Sequence, residues 1–487
     1  MENLQDILYK VGLVSVHGSL DRLVTAVVFD SRKMIENAAF IAVKGVQVDG
    51  HLFIEKAILN GATSIICETL PSKLLPQVTY IEVKDSSMAL ALMAANFYRN
   101  PANELNLVGI TGTNGKTTTT SLLHKLFSGF NFKVGLLSTV VNKIGELEIP
   151  ATHTTPDPVE LNSLLRQMVD AGCAYCFMEV SSHAIHQNRI AGLDFKIAAF
   201  SNITHDHLDY HKTFKDYIYT KKMFFDNLSS SATAITNIDD ANGMVMVQNC
   251  KAKIRTLALQ TVADYKAKII ENSFSGLVLN INSHEVYTHL IGGFNAYNLL
   301  TVYAIAVELG QDPIEVLAGI SALKSVEGRF EYFTTPKKIT AIVDYAHTPD
   351  ALKNVLSTIQ TVRTRNEQVI TIVGCGGDRH KTKRPVMAGI ATEYSDKVIL
   401  TSDNPRSENP EEIIREMQKG VPAEKSARAM AITNRAEAIK VACSLAQPGD
   451  ILLIAGKGHE KYQEIEGVKY PFDDFETVQE TLKNLNK

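Results

Sequence analysis

The 487-residue sequence has little charge surplus of either sign: 49 Lys plus Arg stand against 53 Asp plus Glu, a net of -4. Partners that are phosphate polymers or anionic lipid surfaces select a basic excess. No long Lys/Arg run supplies one locally, so nucleic-acid and membrane partners are not expected. Long apolar runs are missing too. Runs such as Ala38 to Val43 and Ile451 to Ala455 fall well short of the ~18 residues of a membrane span and read as buried strands. The opening Met1-Glu2-Asn3-Leu4-Gln5-Asp6 lacks the basic and apolar stretches of a secretory signal. Cysteine is sparse, six in all, which excludes a disulfide scaffold and suits a reducing compartment, the cytoplasm. Cys173 and Cys176 form an isolated C-x-x-C that runs into Phe177-Met178 and is expected to be two packed thiols. No repeat or low-complexity tract stands out.

What is present is ordinary globular composition, 45% hydrophobic and 21% charged, in a chain long enough for about three domains at ~150 residues each. Strand, glycine-rich turn and helix recur, the mark of an α/β fold with parallel sheets. The first unit, 1–103, has strands at Ala26 to Phe29, Ala39 to Val43 and Ser64 to Cys67, with a helix over 52–59. The second, 104–332, opens with a strand at Leu105 to Ile110 and a helix carrying Leu122, Leu123, Leu126 and Phe127 on one face. Strands follow at Tyr175 to Val180, Ala198 to Asn202 and Ala234 to Asn237, then hairpin-like sequence over 252–290 and a helix over 296–309. The third, 333–487, has strands at Thr340 to Asp344, Val369 to Val373, Lys397 to Leu400 and Ile451 to Ile454. Asn409-Pro410-Glu411-Glu412 reads as a helix start: a capping side chain, proline at the first position, acids in the first turn.

Gly112-Thr113-Asn114-Gly115-Lys116-Thr117 lies between a predicted strand and a predicted helix. Glycines let backbone N–H groups turn around phosphate oxygens, Lys116 reaches the β- and γ-phosphates, and the Thr117 hydroxyl suits Mg²⁺. Ile110 stands where the longer pattern has its first glycine. The loop alone fits a kinase, a nucleotide switch or a ligase. The guanine-reading Asn-Lys-x-Asp is missing, since Asn142-Lys143 runs on to Ile144-Gly145, which favours adenine. Glu179, ending a buried strand, points to a Mg²⁺ ligand in the crevice at the sheet's carboxyl edge. His205-Asp206-His207-Leu208-Asp209-Tyr210-His211 is rich in ligand-type side chains, but Tyr210 breaks the H-x-H-x-D-H spacing of a zinc hydrolase.

Taken together, Gly112 to Thr117, Glu179-Val-Ser-Ser-His183, Asn202 with Asp206 to Asp209, Asn295 and Asn298, Gly328-Arg329 and Asp344-Tyr-Ala-His-Thr-Pro349 resemble the Mur ligase family. The resemblance covers essentially the whole chain. It implies a three-domain architecture with a central phosphate-loop ATPase domain and a C-terminal Rossmann-like domain. It also implies ATP-dependent ligation of an amino acid onto a UDP-muramoyl peptide, through an acyl phosphate, in bacterial cell-wall precursor synthesis. Asp30-Ser31-Arg32, His153-Thr154-Thr155-Pro156 and Asp403-Asn404-Pro405-Arg406 are similar to the branch that adds meso-diaminopimelate to UDP-N-acetylmuramoyl-L-alanyl-D-glutamate. Meso-diaminopimelate has a distal carboxylate where lysine has only an ammonium, and a guanidinium grips the former bidentately while repelling the latter.

The resemblance assigns roles residue by residue. Gly112, Thr113, Asn114, Gly115, Lys116, Thr117 and Thr118 would hold the nucleotide phosphates, and Asn295, Asn298, Arg329, Asp344 and His347 the rest of ATP. Thr117, Glu179, His207 and a carbamylated Lys221 would bind two Mg²⁺ ions, with Lys116, Glu179, His207 and Lys221 carrying catalysis. Ser31 and the Lys44 to Gly50 loop would meet UDP, although Val46-Gln47-Val48 is less polar than in some relatives. Thr154, Thr155, Ser182, Gln187 and Arg189 would meet the muramoyl peptide. Arg379, Asp403, Asn404, Pro405, Arg406, Gly456 and Glu460 would meet the amino acid, Glu460 through an ammonium. A monomer is expected. A lysine-adding or folylpolyglutamate synthase-like ligase, a nucleotide-switch protein and a zinc hydrolase are the competing readings.

Overall fold

The computed structural model describes residues 1–45, 48–206 and 208–487, and these form three α/β layers in succession along the chain. The first sheet runs in the order Leu13–His17, Thr79–Val83, Ala62–Cys67, Ala38–Ile41, Val27–Val28, parallel after its first pairing. Ala38–Ile41 is buried at every residue, which is why it shows a continuous apolar run rather than alternation. Helix Ser86–Phe97 begins where the Asp85 carboxylate accepts the Met88 N–H at 2.9 Å. It lies beside the helix Pro158–Asp170 of the second layer, and Asn188 of that layer donates to Asp85 and Ser87 at 3.2 and 3.0 Å.

The second sheet has eleven strands among the described residues. Its parallel centre runs Val134–Leu137, Tyr175–Glu179, Asn106–Thr111, Ile197–Phe200, Thr233–Asn237, Lys253–Ala258. Apolar clusters cover both faces. Leu122, Leu123, Leu126 and Phe127 of helix Lys116–Gly129 are buried as their spacing predicts. The Phe127 ring sits 4.7 Å from Tyr175 and 5.0 Å from Phe177, seating the helix on the strand beside the phosphate-loop strand. Cys173 and Cys176 are packed thiols in the opposite face, and burial pushes the Cys176 thiol well above its ordinary range. The hairpin-like reading of 252–290 needs correcting at its start. Lys253–Ala258 pairs in parallel with both neighbours, and only Tyr265–Ser273, Gly276–Ile281 and His284–Thr288 form antiparallel hairpins. The Asp239 carboxylate accepts the N–H groups of Leu259, Gln260 and Thr261 at 2.7, 2.9 and 3.0 Å. That pulls the connection back across the sheet end, so the chain re-enters in the same direction.

The third sheet runs Glu331–Thr334, Thr340–Asp344, Ile451–Ala455, Val369–Cys375, Lys397–Ser402, Ala429–Ala431, parallel after the first pairing. Asn409 caps helix Pro410–Gln418 as predicted, accepting the Glu411 N–H at 2.8 Å. Among the described residues no helix is long and apolar enough to cross a membrane.

One buried ion pair fixes the working edge of this sheet. Arg435 and Asp474 have fully buried side chains, joined at 2.7 Å (Nε to Oδ1) and 2.6 Å (Nη2 to Oδ2). Arg435 also donates to the Ser402 and Ala455 carbonyls at 3.4 and 3.1 Å, tying two strand ends together. Removing one partner strands the other charge in a dry interior. Asp474→Ala is therefore expected to lower stability by about 3–5 kcal/mol, read as a lower urea midpoint.

Candidate active site at the strand ends

The central strand Asn106–Thr111 delivers the chain into the glycine loop, and its two neighbours deliver Glu179 on one side and Ser201-Asn202 on the other. This is the carboxyl-edge crevice where open α/β sheets bind ligands. Gly112 has φ +149°, and a Cβ there would lie 2.0 Å from Ser201 Oγ and 2.9 Å from the Asn202 carbonyl oxygen. Gly115 has φ +89°, and its Cβ would lie 2.5 Å from Asn298 Oδ1. Both positions need glycine for shape and for space. The Asn202 side chain holds the loop from both sides: its Oδ1 accepts the Asn114 N–H at 3.0 Å and its Nδ2 donates to the Asn114 carbonyl at 3.0 Å. Ser201 Oγ donates to the same carbonyl at 2.6 Å. Tyr217 meets the Thr113 hydroxyl at 3.2 Å.

Two lysines converge on this loop. Lys116 Nζ donates to the Gly112 and Thr113 carbonyls at 2.8 and 2.9 Å. Lys221, on helix Phe214–Asp226, donates to the same Gly112 carbonyl at 3.0 Å and lies 4.7 Å from the Tyr217 ring centroid. Lys221 and Lys222 are buried, not an exposed pair, and they part ways: Lys222 pairs with Asp226. Burial, and then the neighbouring Lys116 cation, hold the Lys221 ammonium well below its ordinary range. Burial also lowers Lys116, opposed by the Glu179 and Asp206 carboxylates. Asp206 likewise favours the charged forms of Lys221, His347 and Lys383, so its field spans the second and third sheets. Glu179 is fully buried and accepts from the Thr139 N–H at 2.8 Å and the Thr139 hydroxyl at 3.2 Å. His207 lies outside the described residues, as do Val46 and Gln47 of the 44–50 loop.

Asn298 Nδ2 donates to Asn295 Oδ1 at 3.0 Å, and Asn295 Nδ2 to the Ile291 carbonyl at 2.8 Å, so the pair forms a buried polar rod behind Gly115. Thr118 is buried one residue past Thr117 on the loop's helix. Arg329 spans the layers. Its Nη2 lies 3.2 Å from Thr117 Oγ1, and its guanidinium sits 4.6 Å from the Tyr345 ring centroid. Next to it, Asp344 accepts the Phe330 N–H at 2.6 Å. Burial pushes the Asp344 carboxyl up to about 6, against the pull of Arg329. Burial, then the Lys383 cation, lower His347 to about 4. Burial, then Arg329, lower His459 to about 3. Where the linker crosses the loop 456–460, glycine meets glycine: a Cβ on Gly328 would lie 2.1 Å from the His459 nitrogen, and one on Gly458 2.7 Å from the Gly328 carbonyl.

The ends of the third sheet gather the predicted amino-acid residues. A Cβ on Gly456 would lie 2.6 Å from Asp403 Oδ2. Asn404 Nδ2 donates to Glu460 at 2.7 Å, and the buried Lys457 ammonium donates to Asn404 Oδ1 and Glu460 Oε2, both at 3.1 Å. Pro405 is buried beneath Gly377. Arg406 adopts φ +51°, held there by backbone bonds to Glu464 and Glu466 at 3.1 and 2.7 Å. Such a conformation in a non-glycine residue persists only where its surroundings impose it. Arg406 Nη1 donates to the Gly377 carbonyl at 2.7 Å, and Arg379, exposed, flanks the same glycine turn.

On the other side of the crevice, Thr155 Oγ1 donates to the Glu179 carbonyl at 2.8 Å, and Arg189 donates to the Thr155 carbonyl at 2.8 Å and to Gln187 Oε1 at 2.7 Å. Thr154 accepts from Thr139 at 3.1 Å, and Ser182 meets His211 at 2.9 Å. These five lie together behind Glu179. Ser31 is buried in the first layer, in a short 3-10 turn capped by Asp30. Thr139, Ser201, Tyr217, Tyr345 and Lys457 were not singled out from sequence. Lys457 alone carries a local signal, standing between two glycines at a strand end.

Two measurements follow from this geometry. Gly112→Ala is expected to weaken nucleotide binding at least ~10-fold, because strain and overlap of more than about 1 kcal/mol fall on the loop; titration calorimetry reads it. His347 and His459 bind fewer protons folded than unfolded between about 4 and their ordinary 6.5, so each costs stability as pH falls through that window. Asp344, raised from 3.8 to about 6, acts oppositely, and folding gains from its protonation. Urea midpoints between pH 7 and 4.5 should fall less steeply in His459→Gln than in the wild type, and more steeply in Asp344→Asn.

Three family models match the chain in order: the Mur ligase family, catalytic domain over 23–98, the Mur ligase middle domain over 110–306, and the Mur ligase, glutamate ligase domain over 328–458. A protein of Cytophaga hutchinsonii named UDP-N-acetylmuramoyl-L-alanyl-D-glutamate--2,6-diaminopimelate ligase is 55% identical over 485 residues, covering 99% of this chain and 100% of that one. A Bacteroides thetaiotaomicron protein of the same name is 51% identical over 98% of this chain and 99% of its own. A solved structure of an enzyme of that name superposes with a TM-score of 0.72 at 32% identity, over 100% of this chain and 99% of that one. A UDP-N-acetylmuramoylalanyl-D-glutamyl-2,6-diaminopimelate--D-alanyl-D-alanyl ligase of Acinetobacter baumannii shares the fold, with a TM-score of 0.63 at 17% identity over 99% of this chain and 98% of that one. With half-identical relatives along almost the whole length, and family models laid end to end across the three sheets, the chain belongs to the Mur ligase family of ATP-dependent, amide-bond-forming enzymes.

Proposed function

We propose that this enzyme joins meso-2,6-diaminopimelate to UDP-N-acetylmuramoyl-L-alanyl-D-glutamate, with ATP cleaved to ADP and phosphate, as a cytoplasmic monomer in peptidoglycan precursor synthesis. The observation that carries the choice of amino acid is Arg406, held at φ +51° beside the Gly376-Gly377 turn that Arg379 also flanks. The relatives' names agree with it. Residues 1–103 take the UDP end, 104–332 the ATP and 333–487 the amino acid. Ser31 serves uridine diphosphate, and Thr154, Thr155, Ser182, Gln187 and Arg189 the muramoyl peptide.

A carboxylate is a poor electrophile, so the D-glutamyl carboxylate first attacks the γ-phosphorus of ATP, and ADP departs. The amine of diaminopimelate then attacks the acyl phosphate, loses its proton, and phosphate leaves. Lys116 stabilises the anionic groups that gather, at an N-terminal helix end already electropositive. Asn295, Asn298, Arg329, Asp344 and His347 frame the nucleotide. Asp403 and Asn404 shape the amino-acid pocket beside Gly456, Glu460 accepts the ammonium, and Arg379 and Arg406 take the distal carboxylate. The Thr117 hydroxyl and the Glu179 carboxylate are hard oxygen donors that fit Mg²⁺; bound there, the ion supplies charge neutralisation to the phosphates. Lys221 suits carbamylation: burial lowers its affinity for a proton, the neutral amine attacks CO₂, an N–C bond forms, a proton is released, and an anionic carbamate takes the place of the amine.

The first test is phosphate release from ATP with the UDP-muramoyl dipeptide and either meso-diaminopimelate, lysine or no amino acid. Release confined to meso-diaminopimelate is expected, and Arg406→Lys should cut the preference over lysine by about 100-fold. Release with lysine in the wild type would sink the arginine reading, and release without any amino acid would favour a nucleotide switch. Lys221→Ala should lower kcat by at least ~100-fold, and labelled bicarbonate should place a carbamate resonance on the wild type that the variant lacks.

A further inference from the structure

Behind the two arginines lies a buried ionic clamp with no part in the mechanism above. Arg384, in the first turn of helix Lys383–Tyr394, has a side chain only 1% exposed. Its Nη1 and Nη2 donate to both oxygens of Glu408 at 3.0 and 2.8 Å, and Nη1 also donates to Glu416 at 2.7 Å. Glu416 belongs to helix Pro410–Gln418 and ties Arg384 to the body of the layer. Glu408 belongs to the loop that continues from Arg406, and it reaches further: its Oε1 accepts the Asp378 N–H at 2.7 Å. The bridge continues outward, with Ser407 Oγ donating to Asp378 Oδ1 at 2.6 Å. Backbone contacts complete it: the Gly377 N–H donates to the Asn404 carbonyl at 2.9 Å, and a Cβ on Gly377 would lie 1.9 Å from the Pro405 carbonyl. Thus the loop carrying Arg379 and the loop carrying Arg406 are stapled together one or two residues from each arginine.

We infer that the Arg384–Glu408 pair is a positioning device for amino-acid selection. It fixes the spacing of Arg379 and Arg406, and so the grip on a distal carboxylate. This rests on the function proposed above. The physical reason is that a bidentate carboxylate contact tolerates little error, and a displacement near 1 Å costs up to ~100-fold in efficiency. Arg406 is held by backbone bonds to Glu464 and Glu466, by the Gly377 carbonyl and by a 3.6 Å ion pair with Glu464, whereas Arg379 is exposed, so the distance between them depends on what joins the Arg379 loop to that frame.

The experiment compares Glu408→Gln with Glu416→Gln in the full-length enzyme, measuring KM for each of the three substrates, the preference for meso-diaminopimelate over lysine, and thermal unfolding. Each variant loses one charge from the same guanidinium, but only the first loosens the loops. Glu408→Gln is expected to raise KM for meso-diaminopimelate about 10-fold or more, with KM for ATP and the UDP precursor unchanged and a reduced preference over lysine. Glu416→Gln is expected to lower the unfolding temperature while leaving both the KM values and the preference in place. Equal effects of the two variants, or an unmoved KM for meso-diaminopimelate in Glu408→Gln, would overturn the inference. Should Glu408→Gln not fold, Ser407→Ala decides on the same criterion, since it opens the outer bridge without unpairing a buried charge. A wild type without amino-acid dependence would instead bring down the proposed function itself.

Discussion

Two lysine side chains, those of Lys116 and Lys221, donate to a single carbonyl oxygen, that of Gly112. Everything else around the crevice answers to that concentration of positive charge in a buried place. Unscreened, like charges at such range repel by several kcal/mol, and the site offsets this in three ways. The carbonyls of the glycine loop accept from Lys116, the Glu179 and Asp206 carboxylates favour its charged form, and Lys221 gives up part of its affinity for a proton. A polyphosphate supplies the remaining negative charge, so the arrangement that looks unstable empty is the one that favours a nucleotide. Folding energy from the apolar faces of the sheet holds these cations in place before any ligand arrives.

The two halves of the crevice are built differently. At the second sheet, glycines bring backbone against backbone, and a single asparagine, Asn202, grips the loop from both sides. That grip falls on backbone atoms of the loop and so does not depend on the side chain of Asn114, which suits a ligand whose phosphates never change. At the third sheet, side chains do the holding: Lys457 couples Asn404 to Glu460, and Arg384 couples two loops. Such contacts change with one substitution, which suits a pocket whose amino acid differs between related enzymes.

Legibility in the sequence followed the range of the interactions. Glycine at a strand-to-helix turn, Asn409-Pro410 at a helix start and the Leu122 to Phe127 stripe are local patterns, and the structure matches them. Ala38–Ile41 and Ile451–Ala455 were legible for the same reason, as short apolar runs buried on both faces. The connection after Lys253–Ala258 was misread because its direction is set by Asp239, some 20 residues away. Thr139 beneath Glu179, Tyr217 beside Thr113 and the whole Arg384 clamp lay hidden likewise, since each partner is distant in sequence and carries no signal of its own. The family motifs named residues around the crevice, but not what fixes them there.

The crossing of Gly328 over Gly458 has a consequence for how closely two layers can meet. At that point the linker leaving the nucleotide layer rests directly on the loop that carries Glu460, with no side chain between them. A pair of naked backbones is the thinnest spacer a polypeptide offers, and here it acts as a doorstop set to its minimum. Any bulkier residue at either position would force the linker and the loop apart. How closely the nucleotide layer sits on the Glu460 loop thus comes down to two missing methyl groups.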